Sequence, residues 1–141
     1  MDYFDDFEIG KKIITKGRSV TEADIVNFAA ISGDWHPLHT DIEFCKKGPF
    51  GERIAHGFLV LTIASGLMPL SQMAVLAFYG MDSVRFLNPT KIGDTIHLEI
   101  EVVEKKEKNS KSGVVSFETS VTNQKDETAC IFTMKMALHR K

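Results

Sequence analysis

The chain has 141 residues, enough for one domain over residues 1–141 that buries a hydrophobic core without a stabilising metal or disulfide framework. Its composition, 43% hydrophobic and 26% charged, is that of an ordinary globular protein, and two cysteines without CxxC or CxxH spacing argue against a zinc or disulfide scaffold. The net charge of −2 gives no electrostatic footprint for nucleic acid or for an anionic membrane surface, so neither is an expected partner.

The N-terminal region predicts a strand followed by a capped helix. The acidic segment Met1–Asp6 lacks the basic and apolar regions of a signal peptide, so we expect a cytoplasmic protein. A strand is expected over Ile13–Ser19. Thr21 followed by Asp24 has the pattern of a capping box, and helical spacing then continues as far as Gly33, a typical helix stop.

The loop after this helix carries a candidate acid/base pair. Asp34 and His39 flank Pro37, which disfavours helix at His36 and so predicts extended backbone there. A carboxylate and an imidazole with water between them form a suitable general acid/base unit, and the carboxylate would stabilise the imidazolium form. The alternative is that Asp34 caps a turn and His39 is an ordinary surface or packing histidine. The spacing alone does not decide between these interpretations.

The segment Gly57–Leu70 predicts a helix that is apolar on nearly every side and is therefore buried. It is shorter than the ~20 apolar residues that span a membrane. Gly57 opens this helix, where amide groups lack intrahelical partners and glycine permits close backbone approach, with helix packing as the alternative role. Thr62 and Ser65 lie on a small or polar stripe of the helix. The Ser65 hydroxyl has an alternative partner in the carbonyl four residues earlier in its own helix.

The C-terminal half predicts an antiparallel sheet, because apolar residues there alternate with polar ones. The resulting fold class is α+β, with a curved antiparallel sheet around one buried helix. Such a sheet leaves open edge strands that a second copy would cover, so we expect a homodimer or a higher homo-oligomer. The expected strands and turns are Ser83–Leu87, Thr95–Val102, the turn Lys105–Gly113, Val115–Val121, the turn Asn123–Glu127 and Cys130–Leu138.

Three segments together resemble the signature of the MaoC-like, (R)-specific enoyl-CoA hydratase family: Ser32–His39 (SGDWHPLH), Ala55–Gly57 (AHG) and Ser65–Gly66. The resemblance covers nearly the whole chain. It implies the hot-dog fold, in which a curved sheet wraps one long helix. It also implies a lyase that reversibly adds water, in a syn sense, to a trans-2-enoyl thioester to form an (R)-3-hydroxyacyl thioester.

The resemblance also assigns roles to individual residues. It implies that Asp34 and His39 are catalytic and that the backbone amide of Gly57 donates to the thioester carbonyl. An amide aimed at the growing charge on that oxygen would be a large catalytic contribution. The family's small polar helix residue falls on Ser65, and which of the Asp34 and His39 side chains acts as the formal base stays open.

Four residues are expected to bind the substrate: Trp35, His36, Thr62 and Ser65. His36 stands where the family usually has asparagine, so it must orient the loop or the water through a ring nitrogen, or it only maintains the loop shape. Trp35 is bulky for a loop, and packing against the core is the alternative. His56 precedes the buried helix and is expected to anchor its start.

The expected partner is an acyl thioester of CoA or of acyl-carrier protein. No metal is expected, because the spacing of the aspartate and histidines matches no zinc template, and no cofactor is expected. The flexible apolar segment Met68–Tyr79 is a candidate acyl pocket, with ordinary core as the alternative. The sequence has no glycine-rich phosphate loop, so recognition of CoA would depend on scattered lysines and arginines.

Two other functions compete with the hydratase. Hot-dog thioesterases commonly place a carboxylate on or beside the central helix, and Gly57–Leu70 contains none. A non-catalytic acyl-binding or assembly partner would retain the fold, but the intact pair of Asp34 and His39 argues against it.

Overall fold

The structure is a computed structural model that describes residues 1–141. The helices are α1 (Glu22–Ser32), α2 (Pro37–Thr40), α3 (Ile42–Lys46) and α4 (Gly57–Leu67), with short 3-10 turns at Phe4–Asp6 and Leu70–Gln72. The strands are β1 (Lys12–Ile14), β2 (Arg18–Ser19), β3 (Val75–Phe86), β4 (Thr95–Asn109), β5 (Ser112–Thr122) and β6 (Thr128–His139).

All six strands belong to one antiparallel sheet. The strand order is β1-β4-β5-β6-β3, and β2 pairs with the same strand, β4, as β1 does. The sheet curves around α4, and the inward side chains of β4, β5 and β6 form one hydrophobic core with that helix. The expected α+β architecture is therefore confirmed. Strand β3 lies at one edge of the sheet, hydrogen-bonded to β6 on one side only.

The expected capped helix is confirmed at both ends of α1. The Thr21 hydroxyl accepts a hydrogen bond from the Asp24 amide, and the Asp24 carboxylate accepts one from the Thr21 amide. These two bonds satisfy donors that the first helical turn leaves without partners. The helix ends at Gly33, whose φ of 78° lies in the left-handed region that glycine adopts readily. The chain therefore leaves α1 at the point where the candidate loop begins.

Helix α4 is shorter and less buried than expected. It ends at Leu67 rather than Leu70, because Met68 precedes Pro69 and its backbone is extended. One face packs into the core, but the opposite face is open, with the Phe58 side chain 76% exposed. Burial on every side is therefore not seen in the single chain. No helix in the structure has both the length and the apolar character that crossing a membrane requires.

Strands β4 and β3 extend well beyond the ranges that the sequence pattern predicted. The expected turn over Lys105–Gly113 is wrong, because β4 continues to Asn109 and β5 begins at Ser112. Most side chains from Val103 to Asn109 are exposed on both faces of this extension, so no alternating pattern marks it. Strand β3 likewise begins at Val75 instead of Ser83 and is mostly exposed.

The remaining strand predictions are largely confirmed. The turn expected over Asn123–Glu127 does connect β5 to β6. The single strand expected over Ile13–Ser19 is instead divided into β1 and β2, and both pieces pair with β4. Between them the Thr15 hydroxyl accepts a hydrogen bond from the Leu98 amide, so the chain stays attached to the sheet across the break.

The N-terminal 3-10 turn packs against the outer part of β5. Phe4 and Phe7 are buried, and the Phe7 ring meets Phe117 edge-to-face with centroids 5.4 Å apart. The Phe4 ring lies directly over Gly113, where a Cβ atom would overlap it. A side chain at position 113 would therefore displace the N-terminal segment.

We predict that Gly113→Ala lowers the free energy of unfolding by about 1–3 kcal/mol, because the added methyl group overpacks against the Phe4 ring. Urea denaturation measures the change. In a Phe4→Ala background the same substitution should cost much less, because the ring is gone. Equal costs in the two backgrounds would contradict this account of the contact.

Candidate active site

The Asp34–Thr40 segment is held in shape by short-range hydrogen bonds. The Asp34 carboxylate accepts from the His36 amide, and His36 Nδ1 accepts from the Leu38 amide at 3.1 Å. His36 has the extended backbone expected before Pro37 and caps the short helix α2 with its ring. The His36 side chain thus maintains the loop shape, which is one of the two roles expected for it. His39 lies on α2 rather than in the loop itself.

The candidate pair is brought together. His39 Nε2 lies 3.9 Å from Asp34 Oδ2, while His39 Nδ1 is 2.7 Å from the Ile54 carbonyl oxygen. A carbonyl oxygen only accepts, so Nδ1 carries the hydrogen, and Nε2 of the neutral ring has a lone pair facing the carboxylate. The distance of 3.9 Å is longer than a direct hydrogen bond. Nε2 and the carboxylate are therefore both available to a third group placed between them.

The environment of His39 favours its neutral form. Burial lowers its pKa below the ordinary value of 6.5 and is the largest influence on it. The bond to the Ile54 carbonyl and the charge of Asp34 oppose this shift, while His56 and His36 add to it. The imidazole is therefore neutral at pH 7 and can accept a proton at Nε2.

Gly57 contributes its backbone to a cavity that His39 also lines. It is the first residue of α4, and its amide donates no hydrogen bond within the chain. The Phe86 ring lies against its Cα, so that a Cβ atom would come 2.8 Å from the ring. Glycine here therefore serves close packing as well as leaving a free amide at the positive end of the helix dipole.

His39 and Gly57 line one cavity of about 350 Å³. Its walls are mainly apolar and come from three regions: the α2–α4 connection, the first turn of α4, and the segment that follows β3. Lining side chains from these regions include Leu38, Phe50, Val60, Phe86 and Leu87. Phe50 and the segment after β3 were not expected in the site. Two signals in the sequence could have marked this segment: the Asn88-Pro89 pair that ends the expected strand, and the resemblance of residues 84–89 to the MaoC-like family.

The cavity does not include the expected acyl segment. None of the residues of Met68–Tyr79 lines it. Met68 and Met73 are buried core residues instead, and from Val75 onward the segment belongs to the edge strand β3. The alternative that this segment is partly ordinary core fits the structure better.

Two of the expected substrate-binding residues also lie away from the cavity. The Thr62 hydroxyl donates to the Phe58 carbonyl, and the Ser65 hydroxyl donates to the Thr62 carbonyl, both at 2.7 Å. Both side chains are on the exposed face of α4. In the single chain these hydroxyls thus bond to their own helix. The alternative interpretation expected this for Ser65, but its partner is the carbonyl three residues earlier and not four.

Trp35 follows Asp34 and is more than half exposed, so it does not pack into the core of the single chain. Its carbonyl accepts a hydrogen bond from the Thr40 hydroxyl, which connects the loop to the end of α2. The indole therefore projects from the loop that carries the candidate acid/base pair.

His56 is closer to the chemistry than the sequence indicated. Its ring is 2% exposed and stacks on the His39 ring with centroids 3.8 Å apart, and its Nε2 donates to the Asp34 carbonyl at 3.0 Å. His56 is the N-cap residue of α4, and its side chain makes no capping hydrogen bond there but connects the start of the helix to the Asp34 backbone.

Asp34, His39 and His56 are also the only three side chains whose arrangement could hold a metal ion. Their potential ligand atoms lie within 4.8 Å of one another. One nitrogen of each imidazole already faces a backbone carbonyl, which leaves His39 Nε2 and His56 Nδ1 as free nitrogens. The expectation that no metal binds stays a prediction.

Comparison with known proteins identifies relatives of this chain. Residues 6–125 match the family described as MaoC like domain. The chain is 40% identical over 111 residues to protein MaoC of Klebsiella aerogenes, a match that covers 78% of this chain and 33% of that protein. It is 35% identical over 102 residues to a 3-hydroxybutyryl-CoA dehydratase of Methylorubrum extorquens, covering 72% of this chain and 64% of that protein. It is 30% identical over 102 residues to an (R)-specific enoyl-CoA hydratase of Rhodospirillum rubrum, covering 72% and 70% respectively.

Solved structures with the same fold cover nearly the whole chain. A protein from Archaeoglobus described as a monoamine oxidase regulatory protein is 43% identical, with a TM-score of 0.93 over 99% of this chain and 95% of that one. A Mycobacterium tuberculosis protein described as a double hotdog fold has a TM-score of 0.87 at 22% identity, covering 99% of this chain and 44% of that one. The expected hot-dog fold is confirmed.

We predict that the His39 ring titrates with a midpoint below 6.5, because burial disfavours its charged form. Asp34→Asn should lower the midpoint further, because the substitution removes a charge that stabilises the imidazolium. NMR titration of the ring resonances measures both midpoints. A midpoint at or above 6.5 in the unsubstituted protein, or an upward shift in Asp34→Asn, would contradict this assignment of causes.

Proposed function

The chain belongs to the MaoC-like domain family, and we propose that it is an (R)-specific enoyl-thioester hydratase that also runs in the dehydratase direction. One observation carries the proposal: the Asp34 carboxylate faces His39 Nε2 at 3.9 Å, and His39 lines a cavity that is also lined by Gly57, whose amide has no partner within the chain. In this proposal, Asp34 and His39 act as the acid/base pair and the Gly57 amide acts as the oxyanion donor.

In the proposed hydration, a water molecule lies between the Asp34 carboxylate and His39 Nε2. One of the two groups accepts a proton from the water as its oxygen bonds to C3 of the enoyl chain, and the other orients the water. The Gly57 amide stabilises the negative charge that develops on the thioester oxygen. A proton is then returned to C2, so that the elements of water add across the double bond from one face. Dehydration is the reverse of these steps.

The proposed substrate is a trans-2-enoyl thioester of CoA or of acyl-carrier protein, with its reacting carbons in the cavity of about 350 Å³. We keep Trp35 and His36 as proposed substrate contacts, because they belong to the loop that carries Asp34. Thr62 and Ser65 lie outside that cavity in the single chain. They would contact substrate only if a second copy closed a binding site over the open face of α4.

We also propose that two copies associate through β3. This strand has an unpaired edge, which presents free backbone donors and acceptors. Large apolar side chains along it are exposed, among them Leu76, Phe78, Tyr79 and Phe86, and Phe58 is exposed on the neighbouring helix α4. An apolar surface of this kind beside an open sheet edge favours a two-fold interface between identical copies.

We predict that Asp34→Asn and His39→Ala each lower kcat for hydration of crotonyl-CoA by about 10²–10⁴-fold, because each removes one member of the acid/base pair. The loss of enoyl absorbance measures hydration. Both variants should stay folded by circular dichroism. His97→Ala is a matched control, because His97 lies on β4 beside Glu99 and outside the cavity.

Near-normal hydration by both purified variants would overturn the assignment of the pair. If the unsubstituted protein instead released free thiol from saturated acyl-CoA and did not hydrate crotonyl-CoA, it would be a thioesterase. Helix α4 has no acidic residue to support that reaction. Tight binding of acyl-CoA with neither reaction would indicate a non-catalytic partner.

We predict that the protein sediments as a dimer and that Phe78→Glu shifts it toward the monomer, because a charge would be buried at the β3 edge. Ile14→Glu is the matched control, since Ile14 is a similarly exposed apolar residue on β1, the opposite edge strand. Sedimentation equilibrium measures both. A monomeric unsubstituted protein, or an unchanged dimer in Phe78→Glu, would refute this interface.

A further inference from the structure

His56 contacts both members of the proposed acid/base pair. Its ring stacks on the His39 ring at 3.8 Å with an interplanar angle of 26°, and its Nε2 donates to the backbone carbonyl of Asp34. The edge of the Phe28 ring packs against it with centroids 4.9 Å apart. His56 also directly precedes Gly57, which carries the free amide. Two parts of the site therefore contact the buried His56 side chain, and the third is the next residue in the chain.

The two members of the pair have no direct contact that would set their separation. Asp34 follows the left-handed turn at Gly33, and its side chain is 51% exposed. His39 is fixed at Nδ1 by the Ile54 carbonyl, but a single hydrogen bond leaves the ring free to rotate about that direction. The stack on His56 removes this rotation, and the bond to the Asp34 carbonyl fixes the backbone that carries the carboxylate.

The unused nitrogen of His56 indicates that the residue is not present for packing alone. The Asp34 carbonyl only accepts, so Nε2 carries the hydrogen, and Nδ1 is buried without any hydrogen-bond partner. A buried polar atom without a partner destabilises the fold. Phenylalanine would fill the same space against Phe28 and His39 without that cost. The feature that only the histidine supplies is its Nε2–H donor.

We infer that His56 is a positioning residue, which sets the distance and orientation of Asp34 relative to His39 by donating to the Asp34 carbonyl while stacking on the His39 ring. The inference rests on the proposed hydratase function for its kinetic consequence. Two parts of the inference do not depend on that function. They are the Nε2–H tautomer of His56 and its contacts with the Asp34 carbonyl and the His39 ring.

Two substitutions separate the donor from the ring. His56→Phe keeps a stacked ring and removes the donor, and His56→Gln keeps an amide N–H near the position of Nε2 and removes the ring. We expect His56→Phe to lower kcat for crotonyl-CoA hydration by about 10–100-fold, with KM changed by less than about threefold. His56→Gln should retain a larger kcat than His56→Phe, because it can still hold the Asp34 carbonyl.

Phe28→Leu is the matched control. It alters the packing on the Phe28 side of the His56 ring but leaves both contacts to the pair, so its kcat should stay within about threefold of the unsubstituted value. If the role of His56 were structural alone, any activity lost in a variant would follow its loss of folded protein, and the kcat of the folded fraction would be unchanged. Positioning is overturned if folded His56→Phe keeps its kcat within about threefold, or if His56→Gln is no better than His56→Phe.

Nitrogen NMR of the unsubstituted protein tests the hydrogen bond from His56 to the Asp34 carbonyl, so this test does not require a variant to fold. We expect the neutral His56 ring to carry its hydrogen on Nε2, with Nδ1 unprotonated. The Nδ1–H tautomer would overturn the inference. If the unsubstituted protein hydrates no enoyl-CoA, the proposed function fails, whereas the tautomer still decides whether His56 holds the Asp34 carbonyl.

Discussion

The packing of the inner face of α4 against the sheet is the constraint on which the site depends. Leu59, Val60, Ile63, Ala64 and Leu67 are removed from water beneath β4, β5 and β6, which fixes the helix axis relative to the sheet. The N-terminal end of the same helix carries the free Gly57 amide. The core sets the position of that helix end. The geometry of the site therefore depends on the hydrophobic burial of residues farther along α4.

Two imidazoles are buried near this helix end, and each donates one hydrogen bond to a backbone carbonyl. His39 donates to Ile54 and His56 donates to Asp34, so each imidazole enters a low-dielectric region with one nitrogen satisfied. The same burial keeps His39 neutral, because the charged ring would lose its hydration. Stability and chemistry thus share one cause here: the environment that buries the imidazole also leaves Nε2 free to accept a proton.

The single chain leaves two apolar surfaces uncovered, the edge strand β3 and the open face of α4 that carries Phe58. The outer hydroxyls of Thr62 and Ser65 lie on that same open face. A second copy seated on β3 would cover both surfaces and could bring these hydroxyls near a substrate. The proposed substrate contacts of Thr62 and Ser65 therefore depend on the proposed dimer.

Local patterns in the sequence determined α1 with its two caps, the α+β class and the cores of β4, β5 and β6, because capping and alternation depend on neighbouring residues. The sequence also marked Asp34 and His39 as candidates, but their spacing alone did not decide their role. The long ends of β3 and β4 left no such pattern, since their side chains are exposed on both faces. Only the tertiary structure decided that Phe86 closes over Gly57 and that His56 stacks on His39. Those contacts join segments far apart in the chain, and they form only when the sheet has wrapped around α4.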